Sequence, residues 1–412
     1  MTRTSNILCT ALFLVALPGT LLHAQALAGP KLPAGVPDGY VITPFGYFHP
    51  SCVLKVEEGE TLLAGGRMLQ HVDGTLENIP ACQYPHYAAS GKILAAGATK
   101  VESPTINGWV ESASVTTSTS YGEIVADWIV PPAPTSNDGQ TVFFFPGMED
   151  ANDVVSIIQP VLQYGPSAAG GGNNWAIASW NCCPSGTADY STLVSVHSGD
   201  VIQGTVKSTC SAGTESCSTW NITTADETSG QSTALSNSPS EGQTFNWAFG
   251  GVLEAYKIAQ CSDYPPNGAL AFYNLALYDY NFNQISNPSW SLTNWVSGDT
   301  PQCNNYGGQV TPTQVVIEYT LPPPVPLSDS NFHVACPTDV LFWTSVYGAT
   351  SYQIWSGALP EPTFVEIYSG TALALEITVP RRQTFVYEAA ACNAQGCSGF
   401  SPEFPVTGGS CN

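Results

Sequence analysis

Short runs of β-branched and aromatic residues recur along most of the chain. Segments 123–130, 141–145, 192–196 and 314–319 are examples, and clusters of Gly, Pro, Asn and Ser separate them. Such runs with turn residues between them are typical of β-strands. No stretch keeps the apolar period and capping residues of a helix. Segment 104–322 therefore predicts an all-β domain, a single large antiparallel β-sandwich of two sheets.

A second set of strand patterns follows a proline-rich stretch. We take 323–327 as a linker, because consecutive prolines form a stiff, extended chain. Beyond it, segment 328–412 resembles a fibronectin type III domain in Trp343, the lead-in 348–352 and the late strand around Tyr387. The resemblance implies a small β-sandwich that binds or spaces, and we assign it no chemistry.

The first 26 residues read as a secretion signal. Arg3 precedes an apolar stretch over 7–22, and Ala24-Gln25-Ala26 forms an A-x-A cleavage site. No later segment has the roughly 20 apolar residues that a membrane helix needs. We therefore expect a secreted, extracellular protein with no membrane partner.

Export makes the cysteines interpretable as disulfides. Of 13 Cys, one lies in the predicted signal, and the other twelve suggest the pairs Cys52/Cys82, Cys210/Cys217, Cys392/Cys397 and Cys261/Cys303. Adjacent Cys182 and Cys183 must pair elsewhere or stay partly free. No C-x-x-C and no paired His spacing occurs, so we expect no metal site and no cofactor.

The charge is strongly acidic and unevenly distributed. The formal net charge is −22, which argues against nucleic acid as a partner because phosphate contacts need Lys and Arg. Half of the basic residues fall within 27–103, namely Lys31, Lys55, Arg67, Lys92 and Lys100. This segment is either a propeptide, held on an acidic enzyme by charge pairs and released by falling pH, or an accessory domain closed by a Cys52–Cys82 disulfide.

Two predicted strands carry polar residues on apolar faces. Over 155–163, Gln159 and Gln163 share a face with aliphatic residues, and Glu254 shares one with Val252 and Tyr256. Buried polar groups cost free energy unless they are paired. They are either rim or structural hydrogen-bonding residues, or the two strands lie side by side and form a site. Pro160 suggests an edge or a bulge after Gln159.

Ordered motifs between 145 and 254 resemble the eqolisin family of glutamic peptidases. The stretch 145–149 (F-P-G-M-E) precedes 157–159 (I-I-Q) much as W-V-G-I-D precedes I-L-Q in that family. Segments similar to its W-Y-E-W, G-D-x-I and N-L-T-T-G-Q-S motifs follow, and 247–254 is similar to the strand with the catalytic Glu. The resemblance covers 109–319 and implies a lectin-like two-sheet sandwich and a secreted acid protease.

The resemblance also implies residue roles. Gln159 and Glu254 would be catalytic, with Glu254 as general base on a water and Gln159 as donor to the oxyanion. We expect the substrate-binding residues to be Phe145, Glu149, Gln163, Trp175 and Trp180. Phe145 replaces a Trp of the family, Glu149 replaces an Asp, and Gln163 stands where the family has another Asp, so Gln163 is a second candidate for the Gln role.

The expected partners are a polypeptide substrate and the chain's own propeptide, and we expect a monomer. Two alternatives stay open. A glycoside hydrolase needs two carboxylates flanking the scissile bond, and 149–153 (E-D-A-N-D) is the nearest candidate. A non-catalytic lectin-like protein would use Trp175, Trp180, Trp290 and Trp295 as sugar platforms.

Overall fold

The structure is a computed structural model. It describes residues 32–63, 66–94, 108–152, 157–182, 186–295, 303, 308–320, 327–329, 338–346, 349–393, 396–398 and 400–409. The predicted signal peptide, Cys183 and most of the predicted linker lie outside these residues. Within them, no helix is long and apolar enough to cross a membrane.

Strands dominate the described residues, which confirms the all-β prediction. The large sandwich contains β9 to β23, as β9 (Gly108–Thr116), β10 (Tyr121–Ile129), β11 (Thr141–Glu149), β12 (Ile157–Tyr164), β13 (Trp175–Cys182), β14 (Ala188–Tyr190), β15 (Val194–Ser195), β16 (Val201–Ser208), β17 (Thr219–Asp226), β18 (Gln231–Pro239), β19 (Trp247–Tyr256), β20 (Ala269–Asp279), β21 (Ser291–Asn294), β22 (Gln309–Thr311) and β23 (Gln314–Glu318). One 3-10 turn, Cys261–Asp263, follows β19.

Two sheets form this sandwich. The seven-stranded sheet runs β18-β17-β16-β10-β20-β23-β22, and the nine-stranded sheet runs β21-β9-β19-β11-β12-β13-β14, with β15 on β13 and one N-terminal strand at its edge. Side chains alternate along each strand, so one set from each sheet meets between them. Trp128, Phe144 and Phe272 are among the residues of this core.

The N-terminal segment, defined here as described residues 32–94, lies on the outside of the nine-stranded sheet. Its strands are β1 (Val41–Thr43), β2 (Gly46–Phe48), β3 (Val53–Lys55), β4 (Thr61–Leu62), β5 (Met68–Gln70), β6 (Leu76–Asn78), β7 (His86–Tyr87) and β8 (Ile93–Leu94), with a 3-10 turn at Pro50–Cys52. Strands β1, β2, β7 and β8 form one sheet. Its Ile42, Tyr47 and Phe48 share a second core with Phe145 and Trp180 of the sandwich.

The rest of the N-terminal segment extends the sandwich itself. Strand β3 pairs in parallel with β14 and becomes the edge of the nine-stranded sheet. Val56, Leu62 and Leu69 join the core between the two large sheets. The N-terminal segment therefore packs against the nine-stranded sheet at two places, the outer face of that sheet and its edge.

The C-terminal domain has a separate core around Trp343 and Ile354. Its strands are β24 (Ser328–Asp329), β25 (Thr338–Phe342), β26 (Ser351–Ala358), β27 (Val365–Gly370), β28 (Ala374–Thr378), β29 (Thr384–Asn393), β30 (Gly396–Cys397) and β31 (Phe404–Thr407). They form a three-stranded and a five-stranded sheet.

Four disulfides confirm the four cysteine pairs expected from the sequence. They join Cys52 to Cys82, Cys210 to Cys217, Cys261 to Cys303 and Cys392 to Cys397. The Cys52–Cys82 disulfide closes the part of the N-terminal segment that contains β3 to β6. Cys182 is buried at the end of β13.

Two buried carboxyls make the sandwich sensitive to alkali. Burial raises the pKa of Glu111 to about 8, although its Oε2 accepts the backbone N–H of Glu318 at 2.9 Å. Burial and then the charge of Glu241 raise the pKa of Asp189 to about 8. In an unfolded chain such groups titrate near pH 4.

We expect the thermal midpoint of the sandwich to fall as the pH rises from 5 to 9. Over this interval the folded protein holds protons that the unfolded chain has lost, so stability is complete below about pH 4 and is lost through pH 8. A loss of roughly 5 °C or more would follow from a few kcal/mol. Glu111→Gln keeps an acceptor for Glu318 and should flatten the dependence in calorimetry. A midpoint that rises toward pH 9 contradicts this reading.

Candidate active site

The candidate residues lie on the outer face of the nine-stranded sheet. Gln159 is on β12 and Glu254 on β19, and β11 separates these two strands, pairing with both. The expectation that the two strands lie side by side is therefore wrong in detail. Both residues nevertheless face the same side, in the apolar cluster that the N-terminal segment covers.

A bulge in β19 orients Glu254. Pairing with both neighbouring strands shifts register next to Gly251, so that Phe249 and Val252 face the same side of the sheet although they are three residues apart. Gly251 lies against the opposite sheet, where an added Cβ would come within 2.7 Å of Phe272 Cε2. The missing side chain thus lets the two sheets approach closely behind the site.

Of the edge or bulge expected at Pro160, the edge is wrong, because β12 is central and pairs on both sides. The pairing between β12 and β11 is interrupted instead. It ends at the pair Phe144 and Leu162 and begins again at the pair Met148 and Ile158. Pro146 and Pro160 lie in that gap, and neither has an N–H to donate. Two facing prolines therefore lose ladder bonds together.

The Gln159 side chain contacts the main chain of the N-terminal segment. Gln159 is fully buried, and its Nε2 donates to the carbonyl of Pro44 at 2.9 Å. Pro44 and Phe45 form the turn between β1 and β2, since Thr43 pairs with Gly46. The Oε1 of Gln159 has no hydrogen-bond partner. The amide is thus half satisfied, by a peptide carbonyl.

Glu254 is 1% exposed and also half satisfied. Its Oε1 accepts the hydroxyl proton of Tyr256, and its Oε2 has no hydrogen-bond partner. Burial raises the pKa of Glu254 to about 8, against the lowering effect of Tyr256. The Trp109 indole also lowers the pKa of Glu254, by less than Tyr256 does, but Oε2 itself has no partner in hydrogen-bond geometry. The carboxyl is therefore neutral across the acid range while it is covered.

Glu149 brings a second carboxyl to the face. It pairs with Ile157 on β12 and with Trp247 on β19, beyond the level of Gln159. Its charge nevertheless raises the pKa of Glu254. Along the sheet, the row of Gln159 therefore lies between the rows of Glu149 and Glu254.

Register places Gln163, not Gln159, level with Glu254. Both Gln163 and Glu254 pair with Phe143, and Gln159 lies four residues further along β12, about 13 Å of strand. Gln163, however, is committed to the loop after β12. Its Nε2 donates to the carbonyls of Gly165 at 2.8 Å and Gly170 at 2.9 Å, and its Oε1 accepts from Ser167 Oγ at 2.8 Å.

The aromatic candidates divide between the two faces. Phe145 is level with Val252 and meets the Trp109 ring edge-on at 6.1 Å. Trp180 pairs with Gln159 and stacks on Tyr190 at 5.0 Å. Trp175 instead lies between the sheets, because five residues separate it from Trp180 and an odd spacing reverses the side of a strand.

Three contributors escaped the sequence analysis. The spacing of two residues between Glu254 and Tyr256 predicts a shared face of the strand, but not the hydrogen bond between the two side chains. Trp109 comes from β9, which pairs with β19 across a long sequence separation. Pro44 contributes a carbonyl, and no side-chain pattern announces a main-chain contact. Among the described residues, no cluster of three or more His, Cys, Asp or Glu is arranged to hold a metal ion.

Several solved structures are similar to parts of the chain. Scytalido-glutamic peptidase with a peptide-based transition state analog is 15% identical, with a TM-score of 0.39 over 52% of this chain and 98% of that one. SCP-B, described as a member of the eqolisin family in complex with the tripeptide Ala-Ile-His, is 15% identical, with a TM-score of 0.37 over 52% and 98%. An Fn3-like protein from Clostridium thermocellum is 22% identical, with a TM-score of 0.18 over 20% and 86%. No protein-family model and no curated protein sequence matches the chain.

We expect Gly251→Ala to destabilise the sandwich by about 1–3 kcal/mol, because the new methyl group overpacks Phe272. Gly172→Ala is the matched control, since the nearest atom to its added Cβ is Asn174 Oδ1 at 3.8 Å. Thermal unfolding of both variants measures the difference. Equal midpoints for the two would show that the sheets behind Glu254 are not closely packed.

Proposed function

We propose that the chain is a secreted acid endopeptidase that uses Gln159 and Glu254, made with the N-terminal segment as an inhibitory propeptide. The observation that carries the proposal is a peptide main chain lying on the candidate site. The Gln159 amide donates to the Pro44 carbonyl, and the backbone N–H of Ala168 donates to the Ile42 carbonyl at 2.8 Å.

The Ile42 carbonyl belongs to strand β1, and the Pro44 carbonyl belongs to the turn that follows it. A surface that binds both recognises peptide backbone rather than a particular side chain, as peptide-binding sheets do. Here the donors are one buried side-chain amide and one loop N–H. The segment at 42–44 therefore supports polypeptide as the substrate class, in a position where a substrate would lie.

The proposed reaction needs a base, a water and an oxyanion donor. Ionised Glu254 takes a proton from a water, whose oxygen attacks the carbonyl carbon of the scissile bond. The Gln159 amide donates to the oxygen as it becomes negative, at the place where it now donates to Pro44. The C–N bond then breaks, and the Glu254 carboxylic acid returns the proton to the leaving nitrogen. The products are an acid and an amine.

The covered state is inactive on this proposal. With a pKa of about 8, mainly because of burial, Glu254 holds its proton at acid pH and is no base. When the N-terminal segment moves away, water reaches the carboxyl and the largest cause of the raised pKa is removed. The pKa then falls toward its ordinary range, and the base works under acid conditions.

Release by broken charge pairs, as the sequence suggested, has no counterpart in the described interface. Lys55 pairs with Glu57, and His71 pairs with Glu60 and Glu77, all within the N-terminal segment. The contacts with the sandwich are apolar packing, hydrogen bonds to the main chain and a side-chain bond from Thr192 Oγ1 to Glu57 Oε2 at 3.0 Å. Acid therefore does not act here by breaking an ion pair between the described parts of the segment and the sandwich.

His86 is a group through which acid can act. It lies on β7, half-buried, with its ring stacked on Phe48 at 4.8 Å, and burial lowers its pKa to about 4. In an unfolded chain a His titrates near 6.5. The unfolded segment thus binds more protons between these values, so its folded form is stable above about pH 6.5 and loses stability as the pH falls through 4.

The glycoside hydrolase alternative is weakened because the Asp150 carboxylate of its candidate motif already has a structural role. Asp150 Oδ1 accepts the N–H of Asn152 at 2.9 Å, and Oδ2 accepts the N–H of Thr244 at 2.9 Å. Both oxygens thus hold the loop after β11. Asp153, the other acid of that motif, lies outside the described residues.

The proposal predicts proteolysis at acid pH by the full chain. We expect a denatured protein to be cleaved at pH 3–4, together with removal of the N-terminal segment. Glu254→Gln should abolish cleavage, and Gln159→Leu should lower kcat about 10²–10³-fold, as the loss of an oxyanion donor does. Mass spectrometry of products and single-turnover rates measure both effects.

Matched controls separate chemistry from folding. Glu123→Gln and Gln203→Leu change the same residue types on the seven-stranded sheet, at β10 and β16, and should keep activity. If the folded wild-type chain cleaves neither protein nor its own N-terminus, the proposal is wrong. If Glu254→Gln stays fully active, another group is the base.

A separate prediction concerns how the N-terminal segment moves away from the sandwich. His86→Phe keeps the stacking on Phe48 but cannot be protonated, so we expect slower removal of the N-terminal segment at pH 4. Hydrogen exchange of β1 and β2 at pH 7 and pH 4 measures opening without relying on catalysis. After correction for the intrinsic pH dependence of amide exchange, the wild type should be less protected at pH 4 than at pH 7, and the variant should lose less protection. An equal loss of protection in both proteins would exclude His86 as the acid-sensitive group.

A further inference from the structure

We propose that Tyr256 is a positioning residue for Glu254: its hydroxyl fixes Oε1 and leaves Oε2 as the oxygen that meets the water. The inference deepens the proposed function and rests on it. Tyr256 is 1% exposed and lies two residues after Glu254, on the same face of β19. Its hydroxyl donates to Oε1, whereas Oε2 has no hydrogen-bond partner.

The ring of Tyr256 is held from two sides. It meets Phe143 of β11 edge-on at 6.1 Å, and Tyr47 of the N-terminal segment edge-on at 5.3 Å. Phe143 pairs directly with Glu254 across the strands and belongs to the sandwich itself. One of the two supports therefore remains when the N-terminal segment leaves. A carboxyl on a long side chain is thus restricted to one orientation.

The contact also favours the ionised base. A donated hydrogen bond stabilises a carboxylate more than a carboxylic acid, and Tyr256 is the largest influence that lowers the pKa of Glu254. Glu149, from β11, acts in the opposite direction. The other groups that face this pair are Tyr47 and Cys182, which act on Tyr256. Tyr256 and Glu149 therefore have opposite effects on the same carboxyl.

This opposition gives a test that a merely structural role would not pass. In full chain activated by acid incubation, Tyr256→Phe should lower kcat/KM about tenfold or more, the value of one hydrogen bond to a charged group. KM should stay nearly constant. The acid limb of the pH profile should move to higher pH, because the base ionises later. Glu149→Gln should move that limb to lower pH. Tyr278→Phe, on β20 of the other sheet, is the control.

A second measurement does not depend on turnover. The carboxyl of Glu254 can be titrated by carbon NMR in full chain labelled at the Glu side-chain carboxyl, with Glu254→Gln assigning the signal. Its pKa should be higher in Tyr256→Phe than in the wild type. If the phenylalanine variant does not fold, 3,5-difluorotyrosine at position 256 preserves the ring and donates more strongly, so the pKa should fall.

The outcomes distinguish the two proposals. An active wild type whose pH limb and kcat are unchanged in Tyr256→Phe overturns the positioning role and leaves the peptidase intact. An inactive wild type overturns the proposed function and with it any role of Tyr256 in catalysis. The NMR titration then still decides whether Tyr256 controls the ionisation of Glu254. An unchanged carboxyl pKa in the variant excludes that as well.

Discussion

The cost of burying polar groups on an apolar sheet face governs this molecule. Gln159 and Glu254 are excluded from water by the sheet that contains β1 and β2, and each keeps one polar atom without a hydrogen bond beside the bond to the Pro44 carbonyl or from the Tyr256 hydroxyl. Burying an amide without any hydrogen bond costs free energy, and burying an unpaired, ionised carboxylate costs more. The amide therefore binds a peptide carbonyl, and the carboxyl stays neutral.

The same burial separates the acid responses of the two parts. Carboxyls inside the sandwich have raised pKa values, so acid stabilises it, as Glu111 and Asp189 show. In the covering sheet a half-buried His86 has a lowered pKa, so acid destabilises that sheet. A fall in pH therefore lowers the stability of the sheet that contains β7 and raises the stability of the sandwich. No ion pair between the two is needed for this difference, which follows from which residue types are buried where.

Much of the fold and part of the site follow from local sequence pattern. Strand period two predicted which residues share a face with Gln159, and cysteine spacing predicted four disulfides, because both are short-range properties. Pairing between strands is not local, so the pattern missed β11 between the two candidate strands and could not decide between an edge and a bulge at Pro160. Trp175 was grouped with Trp180 by motif rather than by parity. The Pro44 carbonyl belongs to the main chain and leaves no trace in side-chain types.

The choice between Gln159 and Gln163 shows why residue type and level on the sheet do not identify a catalytic group. Gln163 is the better placed by register, since it shares a row with Glu254. Its donors and its acceptor are all used by its own loop, so binding a substrate would first require breaking that turn. Gln159 donates instead to the Pro44 carbonyl of the N-terminal segment, which would leave on the proposed activation. An oxyanion donor must be able to exchange one carbonyl for another, and the proposal therefore assigns this role to Gln159 rather than to Gln163.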